Sequence, residues 1–289
     1  MEKAEESVVF TFGGGAWYHA FYFGVGSAIA DMSLDRGDAS IRFCGVSAGC
    51  LVASGLAFET NIDELFEAAI GTFPISGRNA FKAVKCTTEC IQRYRQPDEI
   101  VQRVSQQKRL LVGVSAARGG WTIMSLRARS VSAFPDSQYL ETVQCASVRI
   151  PILGGLRGTV IDGQRCWDGQ LTQNWSCLPV FEDVSEDKDV VVRITAYHDE
   201  SFCNLKAGWI TPRVAFPRSW QLRPHSVEAL RLLHRLGYLR TLEFLNTFCE
   251  QSAVLAKKFK KLDTDRATCL QSDIAGVIAE IDRKASEQT

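Results

Sequence analysis

Residues 41–49 read IRFCGVSAG, a short apolar run that leads into a G-x-S-x-G pattern. The first four of these residues predict a β-strand, and Ala48 to Phe58 predict a helix directly after it. A serine on such a tight strand-to-helix turn has a strained backbone, and Gly45 and Gly49 lie where a side chain would clash. We therefore expect Ser47 to be a nucleophile on an elbow, with a helix N-terminus behind it that favours negative charge.

A glycine run lies one helix and one strand before this elbow. Gly13, Gly14 and Gly15 follow a strand predicted over residues 8–12 and precede an apolar helix predicted over 16–34. Glycines let backbone N–H groups approach a ligand oxygen, which fits either a phosphate cradle or an oxyanion hole. A Walker loop is excluded because no Gly-Lys-Ser/Thr follows, and the dinucleotide fingerprint lacks its third glycine. The elbow that follows favours the oxyanion hole.

Two Asp-Gly dipeptides compete for the role of a base. Asp162 stands in a pattern typical of a hairpin turn, where its carboxylate would face water. A solvated aspartate is too weak a base to activate a serine at neutral pH. Asp168 ends a short apolar run and follows Trp167, which could supply an apolar setting that raises its basicity. Asp168 is therefore the better candidate of the two, although an Asp-Gly pair taken alone is usually a structural turn.

Beyond these motifs, strands and helices alternate through the first two-thirds of the chain. This order predicts an α/β protein with a mostly parallel sheet covered by helices, in one domain with a helical C-terminal extension. The additional strands are predicted over 109–114, 121–126 and 189–194. The additional helices are predicted from Asn61 or Asp63 onward, over 137–145, over 226–249 with a break near Gly237, and within 251–289.

The composition excludes several classes of function. Lys plus Arg and Asp plus Glu both number 33, so the net charge is zero, which argues against nucleic-acid binding. The acidic start has no basic or apolar leader, so a cytoplasmic location is expected. The 10 cysteines show no zinc spacing, and we expect reduced thiols with no metal and no cofactor. The longest apolar stretch, 43–58, is short for a membrane span.

In order and spacing, the glycine run, the elbow and the Asp168-Gly169 pair resemble the patatin-like phospholipase family. Residues 145–155, which read CASVRIPILGG, and residues 230–245 are similar to its adiponutrin and adipose triglyceride lipase branch. The resemblance implies a three-layer α/β/α sandwich over 7–250 with a helical extension over 251–289. It also implies a Ser47–Asp168 dyad without a catalytic histidine, with residues 13–15 as the oxyanion hole.

The chain departs from the family pattern in three places. Tyr18 or His19 replaces the last glycine of the glycine motif, and Gln170 follows Asp168-Gly169 where the family has Gly or Ala. Three extra residues lie between Asn174 and Pro179. The resemblance implies a triacylglycerol lipase or a phospholipase A. The first alternative is a catalytically weak regulatory protein of a lipid-droplet or membrane surface.

A Ser-His-Asp α/β-hydrolase is the other alternative, since His198 follows Asp168 in the required chain order. That fold usually places several strands before the elbow, and here one clear strand precedes the elbow's own. We expect His198, His225 and His234 to be surface or helix residues.

Two segments are candidates for contact with lipid. Between residues 203 and 225, Trp209, Phe216 and Trp220 alternate with Arg213, Arg218 and Arg223. This segment predicts either a membrane or droplet contact or a loop packed on the core. Lys257 to Lys261 is either a solvated helix face or a lipid anchor. The expected partners are an acylglycerol or phospholipid substrate at a lipid surface and a regulatory protein, with the chain peripheral on a droplet or membrane.

Overall fold

The computed structural model describes residues 6–76, 79–118, 125–173, 178–198 and 208–287. The strands are β1 (Val8–Phe12), β2 (Ile41–Val46), β3 (Leu110–Ala117), β4 (Leu126–Val131), β5 (Thr159–Ile161), β6 (Gln164–Asp168), β7 (Val190–Ile194) and β8 (Trp209–Ile210). The helices are α1 (His19–Met32), α2 (Ala48–Ala57), α3 (Ile62–Gly71), α4 (Phe73–Ser76), α5 (Ala80–Arg93), α6 (Asp98–Gln106), α7 (Ser137–Ser147), α8 (Arg218–Leu222), α9 (Val227–Cys249), α10 (Ala253–Lys258) and α11 (Thr264–Ser286). Single 3-10 turns occupy Ala16–Tyr18 and Gly169–Leu171.

The described strands form one sheet in the order β5-β6-β3-β2-β1-β7-β8, with β4 also paired to β3. Five strands, β3, β2, β1, β7 and β8, run parallel, whereas β4, β5 and β6 join through antiparallel pairings. Every residue of β1 is buried because the strand is central and covered on both faces. The predicted α/β class, the mostly parallel sheet and the helical C-terminal extension are confirmed.

Helices α1 and α2 follow β1 and β2 and pack with the larger core, which includes Phe10, Phe12 and Phe43. Helix α9 lies directly on α1, and glycines make this contact possible. A Cβ atom on Gly24 would stand 1.8 Å from the His234 carbonyl oxygen, and one on Gly237 would stand 2.1 Å from that of Phe21. The opposite face of the sheet carries a smaller cluster around Phe181 and Val191.

The contact at Gly237 overturns one prediction about α9. A break was expected near Gly237, because glycine weakens a helix interior. The structure shows one helix from Val227 to Cys249 without interruption. Gly237 serves close packing of two backbones, a role that the sequence of α9 alone does not reveal.

The other predicted elements agree with the structure to within a few residues. Asn61, rather than Asp63, caps α3 by accepting hydrogen bonds from the N–H groups of Asp63 and Glu64. Of the strand predicted over 121–126, residues 121–124 lie outside the described part of the chain, and β4 begins at Leu126. Helices α5 and α6 were not predicted.

The lysine-rich segment 257–261 is divided between surface and core. Lys257, Lys260 and Lys261 are exposed, as the solvated-face interpretation expects, whereas Lys258 and Phe259 are buried. The Lys258 ammonium group is buried and donates to Asp38 at 2.8 Å, while Phe259 packs edge-on against Phe10. Helix α11 then buries Leu270, Ile274, Val277 and Ile281, and it packs on α9. The described residues contain no helix that is both long and apolar enough to cross a membrane.

Candidate active site

The elbow at Ser47 has the strain that the sequence predicts. Ser47 lies between β2 and α2 with φ 50° and ψ −128°, a backbone conformation that residues other than glycine rarely adopt. A Cβ atom on Gly45 would lie 2.6 Å from the Gly49 carbonyl oxygen, and one on Gly49 would lie 2.4 Å from that of Gly13. The two elbow glycines are therefore required by the close approach of β1, β2 and α2.

Ser47 and Asp168 come together across β3. Val46 of β2 is paired with Gly113 of β3, and Asp168 at the end of β6 is paired with Val114 of β3. Their side chains meet beside the middle of this shared strand, where Ser47 Oγ donates to Asp168 Oδ2 at 2.8 Å. Residues 121 positions apart in the chain thus form a direct serine–carboxylate pair.

Asp168 is almost fully buried, at 2% exposure, with Trp167 beside it. Burial raises the pKa of Asp168 to about 7, although hydrogen bonds from the Gln170 backbone N–H and the Ser47 hydroxyl lower it. A carboxylate with this pKa is a much stronger base than an ordinary aspartate, and at neutral pH much of it is still ionised. The site therefore combines a serine whose backbone is strained with a carboxylate base whose pKa lies near neutral pH.

Of the three predicted oxyanion-hole glycines, Gly14 lies against the nucleophile. A Cβ atom on Gly14 would stand 2.9 Å from Ser47 Cβ. The Gly13 N–H group is already used, because it donates to the Ile194 carbonyl oxygen at 3.0 Å and continues the sheet. Gly15 has an extended backbone and leads into the turn Ala16–Tyr18.

Gln170 occupies the position beside Gly14. Its side-chain oxygen Oε1 accepts a hydrogen bond from the Gly14 N–H at 2.8 Å. An amide oxygen therefore stands where an ester oxygen would receive the same hydrogen bond. The sequence marked Gln170 as a departure from the family pattern, but it did not indicate this contact.

Two further serines hold the site together and were not assigned a role from the sequence. Ser147, the last residue of α7, accepts from the Ser47 N–H at 2.9 Å and donates to the Gly113 carbonyl oxygen at 2.7 Å. Ser115 of β3 donates to the Asp168 carbonyl oxygen at 2.7 Å. Both are fully buried, and they tie the nucleophile and the base to the same strand.

Ser47 opens into an apolar cavity that is partly open to solvent. Its wall consists mainly of small apolar side chains from α2, α3 and α5, with Trp17 and His19 at the glycine turn. A second cavity continues along the same helices toward Phe58 and Tyr94. Leu51, Ala69 and Cys90 line both cavities, so together they form one apolar trough that begins at the nucleophile.

The hydrogen bonds that reach Ser47 and Asp168 from described residues involve no histidine. His225 is exposed, and His234 Nε2 lies 3.2 Å from Ser27 Oγ on the side of α1 that faces α9. His19 lines the cavity, but its Nδ1 is paired with the Ala16 carbonyl oxygen, and burial lowers its pKa to about 4. The direct Ser47–Asp168 contact needs no intervening imidazole.

The competing aspartate lies away from this site. Asp162 occupies the turn between β5 and β6 with φ 47°, as the hairpin pattern predicted. It is paired with the Arg129 guanidinium and the Tyr139 hydroxyl, and these hydrogen bonds hold its pKa below the ordinary value. Its carboxylate is therefore a weaker base than a free aspartate.

The aromatic and basic segment before α9 has its aromatic residues in the core. Phe216 is buried against Tyr18 and Phe21, and Trp220 is fully buried. Arg213, Arg218 and Arg223 are exposed. Of the two interpretations of this segment, packing on the core with a solvated rim is the one that the structure supports. Residues 203–207 and Asn174 lie outside the described ranges.

Solved structures that are similar to this chain include VipD and a chain of the ExoU–SpcU complex. The chain is 13% identical to VipD from Legionella pneumophila, with a TM-score of 0.48, over 96% of this chain and 75% of that one. It is 13% identical to a chain of the heterodimeric ExoU–SpcU complex from the type III secretion system of Pseudomonas aeruginosa, with a TM-score of 0.39, over 99% of this chain and 60% of that one. No protein-family model and no curated protein sequence matches the chain.

Proposed function

We propose that this chain is a patatin-like serine lipid acyl hydrolase, with Ser47 as the nucleophile and Asp168 as the base. The observation that carries the proposal is the 2.8 Å contact between Ser47 Oγ and Asp168 Oδ2 at the opening of an apolar cavity. Neither feature alone indicates an acyl hydrolase. Together they support a lipid substrate whose acyl chain is buried in the cavity while its ester carbonyl lies beside Ser47.

In the proposed reaction, Asp168 accepts the hydroxyl proton as Ser47 Oγ attacks the ester carbonyl carbon. The Gly14 N–H group donates to the oxyanion that forms, once the substrate oxygen has displaced the Gln170 amide oxygen. Asp168 returns the proton to the leaving alcohol, which departs as the acyl-enzyme forms. Water then attacks the acyl-enzyme by the same route and releases the fatty acid.

The trough supports a fatty acyl chain as the group that is transferred. On α2, residues 47, 51, 54, 55 and 58 recur at helical spacing and face the trough. At a rise of 1.5 Å per residue, this stripe spans about 16 Å, enough for an extended medium or long acyl chain. Burial of such a chain would provide binding free energy along its whole length.

The resemblance to the adiponutrin and adipose triglyceride lipase branch favours triacylglycerol as substrate, with phospholipid or lysophospholipid next. The same proposal includes hydrolysis at the surface of a lipid droplet or membrane. It also includes a regulatory protein that binds the chain. Hydrolysis of triacylglycerol emulsions and of phospholipid vesicles by the same preparation, compared per enzyme molecule, distinguishes the two substrate classes.

Three variants test the dyad. Ser47→Ala should abolish ester hydrolysis without loss of stability, because Ser47 lines the open cavity and removal of its hydroxyl creates no void in the core. Asp168→Asn should lower turnover by at least about a thousandfold, since it keeps the shape but removes the basic oxygen. Asp162→Asn is the matched control, because it changes the other Asp-Gly pair, and it should remain within about twofold of wild type. The measurement is steady-state hydrolysis of one soluble ester, with thermal unfolding of each variant.

An active, folded Ser47→Ala protein would overturn the serine-hydrolase proposal. An inactive Asp162→Asn with an active Asp168→Asn would move the base to the β5–β6 turn. Since burial disfavours the Asp168 carboxylate, Asp168→Asn should unfold at the same or a higher temperature than wild type at pH 8. Its inactivity can therefore be separated from unfolding.

The Gln170–Gly14 contact favours a second candidate function, a lipid-surface protein of low turnover. If the amide oxygen holds its place against substrate, the chain would bind lipid without hydrolysing it. A fluorophosphonate probe separates the two candidates, because it labels an activated Ser47 in the hydrolase and leaves the binding protein unlabelled.

A further inference from the structure

Several exposed large apolar side chains belong to the chain segments around the opening of the trough. Eight described large apolar residues are exposed, and six of them, with exposures between 47% and 71%, belong to this group: Ile75, Phe81, Ile152, Leu156, Leu171 and Leu222. We refer to these six as the apolar rim. Isolated exposed apolar residues are ordinary, but a group around one opening indicates a binding surface.

The rim residues come from chain segments that also line the Ser47 cavity or adjoin Asp168. Phe81 lies between the lining residues Ala80 and Ala83, and Ile152 lies between Ile150 and Leu153. Leu222 itself lines the cavity, and Leu171 ends the 3-10 turn that begins directly after Asp168. Ile75 and Leu156 each come three residues after a lining residue. Because these segments build the cavity and the nucleophile's surroundings, their exposed side chains lie around it.

The charge of the same segments is one-sided. Lys82, Arg157 and Arg223 directly follow three rim residues, and all three are exposed. In sequence, the ranges 72–87, 148–157, 168–171 and 218–225 contain several Lys and Arg residues and a single acidic residue, the buried Asp168. This local excess of positive charge contrasts with the chain as a whole, which has no net charge.

We propose that the apolar rim docks this protein onto an anionic phospholipid surface, with the Ser47 cavity facing the lipid. Apolar side chains would enter the headgroup region while the adjacent Lys and Arg side chains contact anionic headgroups. This surface includes Leu222 and Arg223 from the end of the segment that the sequence suggested, but it excludes Phe216 and Trp220, which are buried. The inference rests on the proposed lipid substrate for its orientation, but the docking itself is measured without catalysis.

Flotation with vesicles tests the docking surface. The vesicles contain phosphatidylcholine, with or without phosphatidylserine, and the protein carries Ser47→Ala so that no lipid is consumed. Binding should require phosphatidylserine and weaken as salt is added. Ile152→Ser with Leu156→Ser should lower the bound-to-free ratio at least about tenfold. The double variant with Arg157→Gln and Arg223→Gln should lower the bound-to-free ratio on anionic vesicles.

Leu34→Ser is the matched control, because Leu34 is similarly exposed but lies between the end of α1 and the start of β2, at the opposite edge of the sheet. It should bind like the parent protein. Thermal unfolding shows that each variant is folded. Equal binding by the rim variants, or an equal loss with Leu34→Ser, would overturn the docking surface. Equal, salt-independent binding to a neutral triacylglycerol emulsion would overturn its anionic preference. Failure of the dyad variants would leave these results unaffected.

Discussion

At the scale of single residues, the site depends on positions where the backbone is held in an unfavourable conformation or a charge is buried. Ser47 keeps its positive φ because neighbouring chain segments leave no room for another arrangement around Gly45 and Gly49. Asp168 is kept out of water while it accepts two hydrogen bonds. The fold thus supplies the stabilisation that both residues lack on their own.

The raised pKa of Asp168 leads to a prediction about pH. The base must be ionised to accept the Ser47 proton, so kcat/KM should rise with pH and level off above an inflection near 7. At pH 5 it should be about a hundredfold below the plateau, since protonation removes tenfold per pH unit below the pKa. The measurement is hydrolysis of a soluble ester from pH 5 to pH 9.

His19 is not expected to cause this inflection, because its pKa is lowered to about 4 and it stays neutral over the whole range. A flat profile in a protein that remains folded at pH 5 would show that Asp168 does not titrate as proposed. Substitution of His19 with Gln should leave the position of the inflection unchanged.

Gln170 gives the second residue-scale prediction. Its amide oxygen competes with substrate for the Gly14 N–H, so Gln170→Ala should raise kcat/KM about fivefold, the equivalent of one net hydrogen bond of about 1 kcal/mol. Gln170→Asn is the matched control for amide chemistry, because its shorter side chain cannot reach Gly14 in the same way. It should behave like Gln170→Ala.

If both variants instead lose about tenfold or more, the Gln170 amide contributes to the reaction rather than opposing it. Labelling by a fluorophosphonate gives the same information in a single turnover. It should be faster in both variants if the amide oxygen is a competitor.

At the scale of elements, two helix stripes define the trough. Helix α2 presents Leu51, Ser54 and Phe58, and α5 presents Ala83, Thr87 and Cys90 at the same helical spacing. In an ordinary packed helix these stripes would touch. Here small side chains leave a space between them, and Leu51 lines both cavities and so lies where they meet.

Leu51 should therefore act as a gate for acyl-chain length. Leu51→Phe should fill the place where the two cavities meet and lower kcat/KM for long-chain esters at least about tenfold. The methylene groups beyond that place would no longer be buried, and each would lose about 0.8 kcal/mol of binding free energy. Short-chain esters should be hydrolysed at nearly the wild-type rate. The measurement is a series of esters that differ only in acyl length.

Leu65→Phe is the graded control, because Leu65 lines the second cavity only. It should affect the longest chains and spare those of medium length. An equal loss for all chain lengths in folded Leu51→Phe protein would indicate that the acyl chain does not enter the trough.

At the scale of the whole molecule, the features that serve the proposed function meet at one edge of the sheet. β1 and β2 end at the glycine run and at the elbow, because parallel strands align their carboxyl ends. The trough opens at this edge, and the proposed docking surface, the apolar rim, belongs to the same edge. The opposite edge carries Leu34 and the buried Lys258–Asp38 pair.

The C-terminal segment belongs to the same packing. Phe259 enters the core beside Phe10, and α11 covers α9 with four buried aliphatic residues. The boundary at residue 250 between a catalytic domain and its extension remains a prediction.

The local motifs could be read from the sequence because they depend on neighbours in the chain. The G-x-S-x-G turn needs its glycines wherever a strand meets a helix so tightly. The hairpin at Asp162 was likewise predicted from adjacent residues, and β5 and β6 show it. The pairing of Ser47 with Asp168 was inferred from family resemblance, since nothing in their separation by 121 positions requires it.

Other features were decided by contacts between segments that are far apart in sequence. Gln170 meets Gly14 across 156 positions, and Gly237 fits against α1, which explains an unbroken α9. Phe216 and Trp220 are buried although their spacing also suited a surface. The physical reason is common to all three. Sequence periodicity and composition indicate which side chains favour burial, but only the tertiary structure determines which partner covers each of them.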